Sequence, residues 1–150
     1  MNILAIEYSL ATSSLDIYVS GCKRHCYGCQ NPETWDFDQG EYYKKYREKI
    51  SQYILKYNSL IKNIMIFGGE PLNQDLKKLE DFLLFLNKNN ISLWLFTSYN
   101  FDQLPHFIFK YCDYIKCGEY LEELKTNNHI QYGIKLATSN QNIYKKELDY

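Results

Sequence analysis

"NIMIFGGEPLNQDLKKLEDFLLFL", residues 63–86, is the stretch on which the fold turns. Its first five residues, 63–67, read as a short buried strand, which Gly68 and Gly69 stop. Leu72, Leu76, Leu79, Leu83 and Leu86 then recur at helical spacing, with Asn73 placed to cap. A strand, a glycine turn and a helix in that order form a parallel βα unit.

Similar units lie on either side. "LDIYVS" (15–20) reads as a strand that delivers the chain directly to Gly21 and Cys22. From Glu41 to about Leu60, Tyr43, Tyr46, Ile50, Tyr53, Ile54, Tyr57 and Ile61 trace one helical face. Downstream, "ISLWLF" (91–96) is a continuous apolar run, the signature of a strand covered on both faces. Asp102 to Tyr111 reads as a shorter helix with Pro105 in its first turn, and "DYIKC" (113–117) as a fourth strand. Beyond it the pattern fades, so residues 119–150 are expected to be irregular, with a short strand near Ile134–Leu136.

No repeat, low-complexity tract or long linker divides the chain, so one domain over 1–150 is expected, with its core at about 15–118. Strands alternating with helices imply mainly parallel pairing and right-handed crossovers. Four units are too few to close an eight-stranded barrel, which leaves an open, half-barrel-like α/β sheet. Ligands of such sheets sit beyond the carboxyl ends of the strands. Three stretches meet there: the cysteine loop after Ser20, "GGEP" (68–71) and "TSY" (97–99).

Composition narrows the class. With 45% hydrophobic and 23% charged residues, a chain of 150 residues can bury a core without staples. Seventeen basic and 18 acidic residues leave a net charge of −1, which gives no general attraction to nucleic acid or an anionic membrane. No run reaches the roughly 18 apolar residues of a membrane span. "MNILAIEYSLATSS" (1–14) also lacks the basic region that precedes the apolar part of a secretory signal. A cytoplasmic protein is expected, in which five cysteines, an odd number, remain reduced.

Three of those cysteines, Cys22, Cys26 and Cys29, fall within "GCKRHCYGCQNPETW" (21–35). Their spacing lets a tight loop aim three sulfurs at one centre, and thiolates suit zinc or an iron–sulfur cluster. A closed zinc site needs a fourth ligand, which His25 could supply, although it stands directly beside Cys26 in a short loop. Three ligands on a four-iron cluster instead leave one iron open for chemistry. Cys112 and Cys117 border the fourth strand and read as inert core thiols.

At these residues the chain resembles the radical S-adenosylmethionine (SAM) enzymes, whose hallmark is Cys-x3-Cys-x2-Cys. More narrowly, it is similar to the activating proteins of anaerobic (class III) ribonucleotide reductases. Cys22, Cys26, Gly28, Cys29, Asn31 and Trp35 match their signature, and Gly40 follows. "FGGEPL" (67–72) matches their Gly-Gly-Asp/Glu-Pro-Leu stretch, "LWLFTSY" (93–99) resembles their strand ending in Trp-Thr-Gly-Tyr, and "SNQNIY" (139–144) resembles their Ser-x-Asn-Gln-Arg tail.

The resemblance implies an open, partial (βα) barrel of the radical SAM type. It implies that Cys22, Cys26 and Cys29 hold a 4Fe–4S cluster as the catalytic centre and that SAM occupies the fourth iron. SAM would be cleaved to a 5′-deoxyadenosyl radical, and the product would be a glycyl radical on the reductase. A reduced flavodoxin or similar donor would supply the electron. The SAM contacts would come from Gly28, Gln30, Gly68, Gly69, Glu70 and Thr97.

Each of these residues also has a plain reading. Gly68 and Gly69 either let backbone approach a ligand or mark a turn. Glu70 either receives the SAM amino group or favours the start of a helix through its dipole. Thr97 and Ser98 either bond ribose hydroxyls or cap the next helix. Trp35 is packed or functional, Tyr27 could flank the adenine, and Lys116 either faces the SAM carboxylate or is an ordinary surface lysine.

Two segments depart from the family pattern. "EYSLATSSLD" (7–16) lacks the Asp-Gly-x-Gly-x-Arg-like segment, and Cys117 stands where an aspartate is usual. These changes keep open a radical SAM reaction on another polypeptide or a small molecule. His25 keeps open a non-enzymatic Cys3His zinc module.

Overall fold

The computed structural model describes residues 1–150. The chain opens with β1 (Asn2–Ser9), β2 (Ser14–Val19), β3 (Glu41–Tyr42) and α1 (Tyr43–Tyr57). It continues through β4 (Asn63–Gly68), α2 (Leu76–Asn87), β5 (Ser92–Phe96), α3 (His106–Tyr111) and β6 (Tyr114–Cys117). β7 (Ile130–Gln131), β8 (Ile134–Lys135) and β9 (Asn142–Lys145) close it.

The four strands expected from sequence, β2, β4, β5 and β6, stand side by side in that order and pair in parallel. The flanks are antiparallel: β1 and β3 extend the sheet beyond β2, and β9 pairs with β6. The resulting seven-stranded sheet has order β3-β1-β2-β4-β5-β6-β9 and is open, with β3 and β9 as its edges. The class is therefore mixed α/β with a parallel centre and three helices. No helix is long and apolar enough to cross a membrane.

Period-two alternation along the central strands explains how the layers pack. Leu15, Ile17, Val19, Ile64, Ile66, Leu93, Leu95 and Ile115 face one side, where they bury against the helices. α1 contributes Tyr43, Ile50 and Ile54, α2 contributes Leu79, Phe82, Leu83 and Leu86, and α3 contributes Ile108 and Tyr111. Met65 and Trp94 point to the other side and pack with Leu136 and Ile143. β5 is thus covered on both faces as expected, but one cover is the C-terminal segment rather than a second layer of helices.

Four local expectations are corrected. Asp75, not Asn73, caps α2: its carboxylate accepts from the backbone N–H of Lys77 at 3.0 Å and Lys78 at 3.2 Å. Leu76, in the first turn of α2, is 42% exposed, and Phe82 takes its place in the core. α3 starts at His106 with Pro105 as its cap residue, because the chain first makes a separate turn at Phe101–Gln103. Residues 119–150 are not irregular throughout, since β9 completes one edge of the main sheet.

Candidate functional site

β2, β4, β5 and β6 end together, and a cavity of about 420 Å³ lies beyond their carboxyl ends. That volume is in the range of small-molecule sites. Tyr18, Phe67 and Phe96 line it from the sheet, packed edge to face with ring centroids 4.6 and 5.3 Å apart. All three loops singled out in the sequence reach it: Cys22, Cys26 and Cys29 from the first, Gly68 to Glu70 from the second, Thr97 and Ser98 from the third.

Backbone bonds close the cysteine loop. Gly21 donates to Thr34 O at 2.7 Å and Cys22 to Trp35 O at 3.0 Å, so the loop returns to its own start. Within it Cys29 N–H bonds Cys26 O at 3.1 Å, and Asn31 N–H points to Cys29 Sγ at 3.4 Å. Burial, and then the neighbouring charges of Cys22 and Cys29, hold the Cys26 thiol above its ordinary value. Cationic iron bound there would favour the Cys26 thiolate.

Three thiols from one loop at the cavity are a donor set that suits an iron–sulfur cluster. The His25 ring stacks on Trp35, centroids 4.6 Å apart. That contact gives Trp35 a packing role.

The double glycine is a matter of clearance. A Cβ on Gly69 would stand 2.5 Å from Gly21 O, and one on Gly68, where φ is +108°, would stand 2.9 Å from Val19 O. Gly69 and Glu70 use that closeness to donate to Val19 O at 2.8 Å and Gly21 O at 2.9 Å. The cysteine and glycine loops are therefore sewn together.

Glu70 is 3% exposed and ties in the third loop. Its carboxylate accepts from Leu72 N–H at 3.0 Å, Thr97 hydroxyl at 2.7 Å and Ser98 N–H at 2.7 Å, and from the Ser98 hydroxyl. Four donors occupy its four lone-pair sites. Thr97 in turn accepts from Tyr99 N–H at 3.2 Å. The two hydroxyls thus hold Glu70 instead of capping the next helix.

Other expected residues divide. Gln30 and Asn31 line the cavity. Gly28 does not: its open side faces Glu122 and Tyr120, at 2.4 and 3.2 Å from a hypothetical Cβ. Tyr27 is 86% exposed and does not line the cavity, whereas Tyr18 and Tyr120 do. Cys112 and Cys117 are buried in the helix-side core, where burial pushes the Cys112 thiol far up and the Cys117 thiol up to about 12.

Lys116 is not a surface lysine. It lines the cavity, donates to Gly118 O at 2.8 Å, and is pulled down to about 8 by burial, against the opposing charge of Glu70. Its folded pKa lies below the ordinary 10.5, so the folded state binds fewer protons in that interval. Stability from this group therefore rises as pH climbs from about 8 to 10.5. Denaturant titrations of wild type and Lys116→Met are expected to diverge in that sense over this window; parallel curves would place the ammonium in solvent.

Arg24 was not singled out in the sequence, and Gln141 only as part of "SNQNIY". Arg24 lines the cavity, pairs with Glu119 at 2.8 Å and lies over the Tyr99 ring at 4.9 Å. Buried Gln141 accepts from Ala137 N–H at 3.2 Å and donates to Gly118 O at 3.3 Å. The signal for Gln141 was its place in "SNQNIY"; nothing local marked Arg24.

These residues and this sheet belong to a known class of protein. The family model described as "4Fe-4S single cluster domain" matches residues 13–144, and the chain belongs to that family. Its relatives are more particular. Over 139 residues it is 29% identical to the anaerobic ribonucleoside-triphosphate reductase-activating protein of Escherichia coli, covering 85% of each chain. The protein of that name in Enterobacteria phage T4 is 28% identical over 115 residues, 73% of this chain and 72% of its own. The one in Salmonella typhimurium is 26% identical over 118 residues, 73% and 75%.

Proposed function

We propose that this chain is a radical SAM activating enzyme for an anaerobic ribonucleoside-triphosphate reductase, and that its open sheet is a partial barrel of that type. The observation that carries the reading is the meeting of three thiols, a double-glycine turn and a buried carboxylate at one cavity. Relatives named as reductase-activating proteins supply the partner.

In this reading Cys22, Cys26 and Cys29 hold three irons of a 4Fe–4S cluster. A cluster held there would supply the electron, received from a reduced flavodoxin or similar donor, for reductive cleavage of SAM to methionine and a 5′-deoxyadenosyl radical. Gly68 and Gly69 keep backbone low beside the cofactor, and Gln30 contributes from the cysteine loop. Glu70 carries negative charge toward the SAM amino group, while Thr97 and Ser98 fix its carboxylate. Gly28 acts indirectly by letting the loop turn against Tyr120 and Glu122. Tyr18, Phe67 and Phe96 exclude water from the sheet side.

Glu70→Ala is expected to weaken SAM binding by about 1.5–3 kcal/mol, the worth of a hydrogen bond to a charged group, with the SAM amino group taking the place of the Ser98 hydroxyl on the carboxylate. The visible spectrum of the cluster is expected to persist. Equilibrium binding to anaerobically reconstituted protein checks this, and unchanged affinity would reduce Glu70 to a brace between loops.

A further inference from the structure

We propose that Gln74 is the positioning residue that sets the spacing between the cysteine loop and the double-glycine loop. Its side chain is nearly buried, and its amide donates to three backbone carbonyls: Ser20 at 2.8 Å, Gly21 at 3.1 Å and Glu70 at 3.3 Å. Two N–H bonds serve three acceptors, so one is shared. Ser20 and Gly21 are the two residues before Cys22. Glu70 is the residue whose carboxylate holds Thr97 and Ser98.

The backbone seam between the loops consists of Gly69 N–H to Val19 O and Glu70 N–H to Gly21 O. Gln74 bonds both sides of that seam. It is itself held where the turn Pro71–Asn73 ends, its N–H on Pro71 O at 3.2 Å, and it leads through Asp75 into α2. Through Gln74 the packed face of α2 fixes where Cys22 stands relative to Glu70. A carboxamide suits the task. A carboxylate would oppose three carbonyl oxygens, and an apolar side chain would leave Ser20 O without its donor while Gly21 O and Glu70 O kept only the backbone N–H groups of Glu70 and Asn73.

The consequence for SAM rests on the function proposed above; the brace itself does not. Gln74→Met keeps an unbranched side chain of similar length and removes both donors. In cofactor-free protein, hydrogen exchange at the Gly69 and Glu70 amides is expected to quicken about tenfold, the equivalent of roughly one or two neutral hydrogen bonds. Reconstituted Gln74→Met is expected to keep its iron and bind SAM about tenfold more weakly by the same arithmetic. Ile50→Val, a core change in α1 outside the cavity, provides a destabilised control and is expected to alter neither readout. Unchanged exchange and SAM affinity in Gln74→Met, or equal changes in Ile50→Val, overturn the assignment. If wild-type protein takes up iron but binds no SAM, the functional reading fails by itself, and the exchange comparison still decides the brace.

Discussion

Replacing Cys22, Cys26 or Cys29 with Ala, one at a time, is expected to abolish the brown absorption of anaerobically reconstituted protein. Wild type is expected to hold about four irons and as much inorganic sulfide. The effect is all or none because three thiolates from one closed loop leave no protein ligand to spare, and the His25 ring stacks on Trp35. Cys112→Ala and Cys117→Ala are expected to keep the colour. Both thiols lie in the helix-side core, and burial keeps them protonated. Iron and sulfide analysis with visible spectra checks the set. Stoichiometric zinc without sulfide, or colour surviving in Cys26→Ala, would remove the cluster from its proposed ligands.

The centre of the fold was legible because its elements carry their own periodicity. Ile64–Phe67 and Leu93–Phe96 are covered on both faces and so read as unbroken apolar runs, and Leu79, Leu83 and Leu86 mark the packed side of α2. The edges were less visible. In β1 only Ile3 is fully buried, and in β9 only Ile143, so neither strand shows the alternation that marks a covered face. Their pairing is decided by neighbours far along the chain, Val19 for Ile3 and Lys116 for Ile143.

The site divides in the same way. Cysteines at fixed spacing, paired glycines and an acidic residue at a strand end are local signs, and the cavity gathers them. Arg24 and Gln74 gave no such sign, and Lys116 read as readily as an ordinary surface lysine. A lysine in a strand looks exposed until the C-terminal segment is seen to fold over that face. A glutamine after a turn looks solvated until its amide meets Ser20 O and Gly21 O from a loop more than fifty residues away. Their roles exist only after the strands are assembled.

The second large effect concerns the partner. The sheet does not close, since β3 and β9 are free edges, so one flank of the cavity lacks a wall of strands. A reactive radical there needs cover that excludes water and side reactions. A glycine-bearing loop of the reductase would supply the cover and also bring its Cα–H within near-attack distance, ~3–3.5 Å. SAM cleavage by the chain alone is therefore expected to be slow and to accelerate markedly when its cognate anaerobic reductase is added. Quantifying 5′-deoxyadenosine over time, with and without reductase, checks the acceleration.

The most direct test is electron paramagnetic resonance of the reduced, cluster-loaded protein mixed anaerobically with SAM and that reductase. The account predicts a glycyl-radical doublet that requires SAM, the reductase and all three of Cys22, Cys26 and Cys29. Rapid SAM cleavage without the reductase, with the radical's hydrogen taken from a small metabolite and no doublet on the protein, would contradict it.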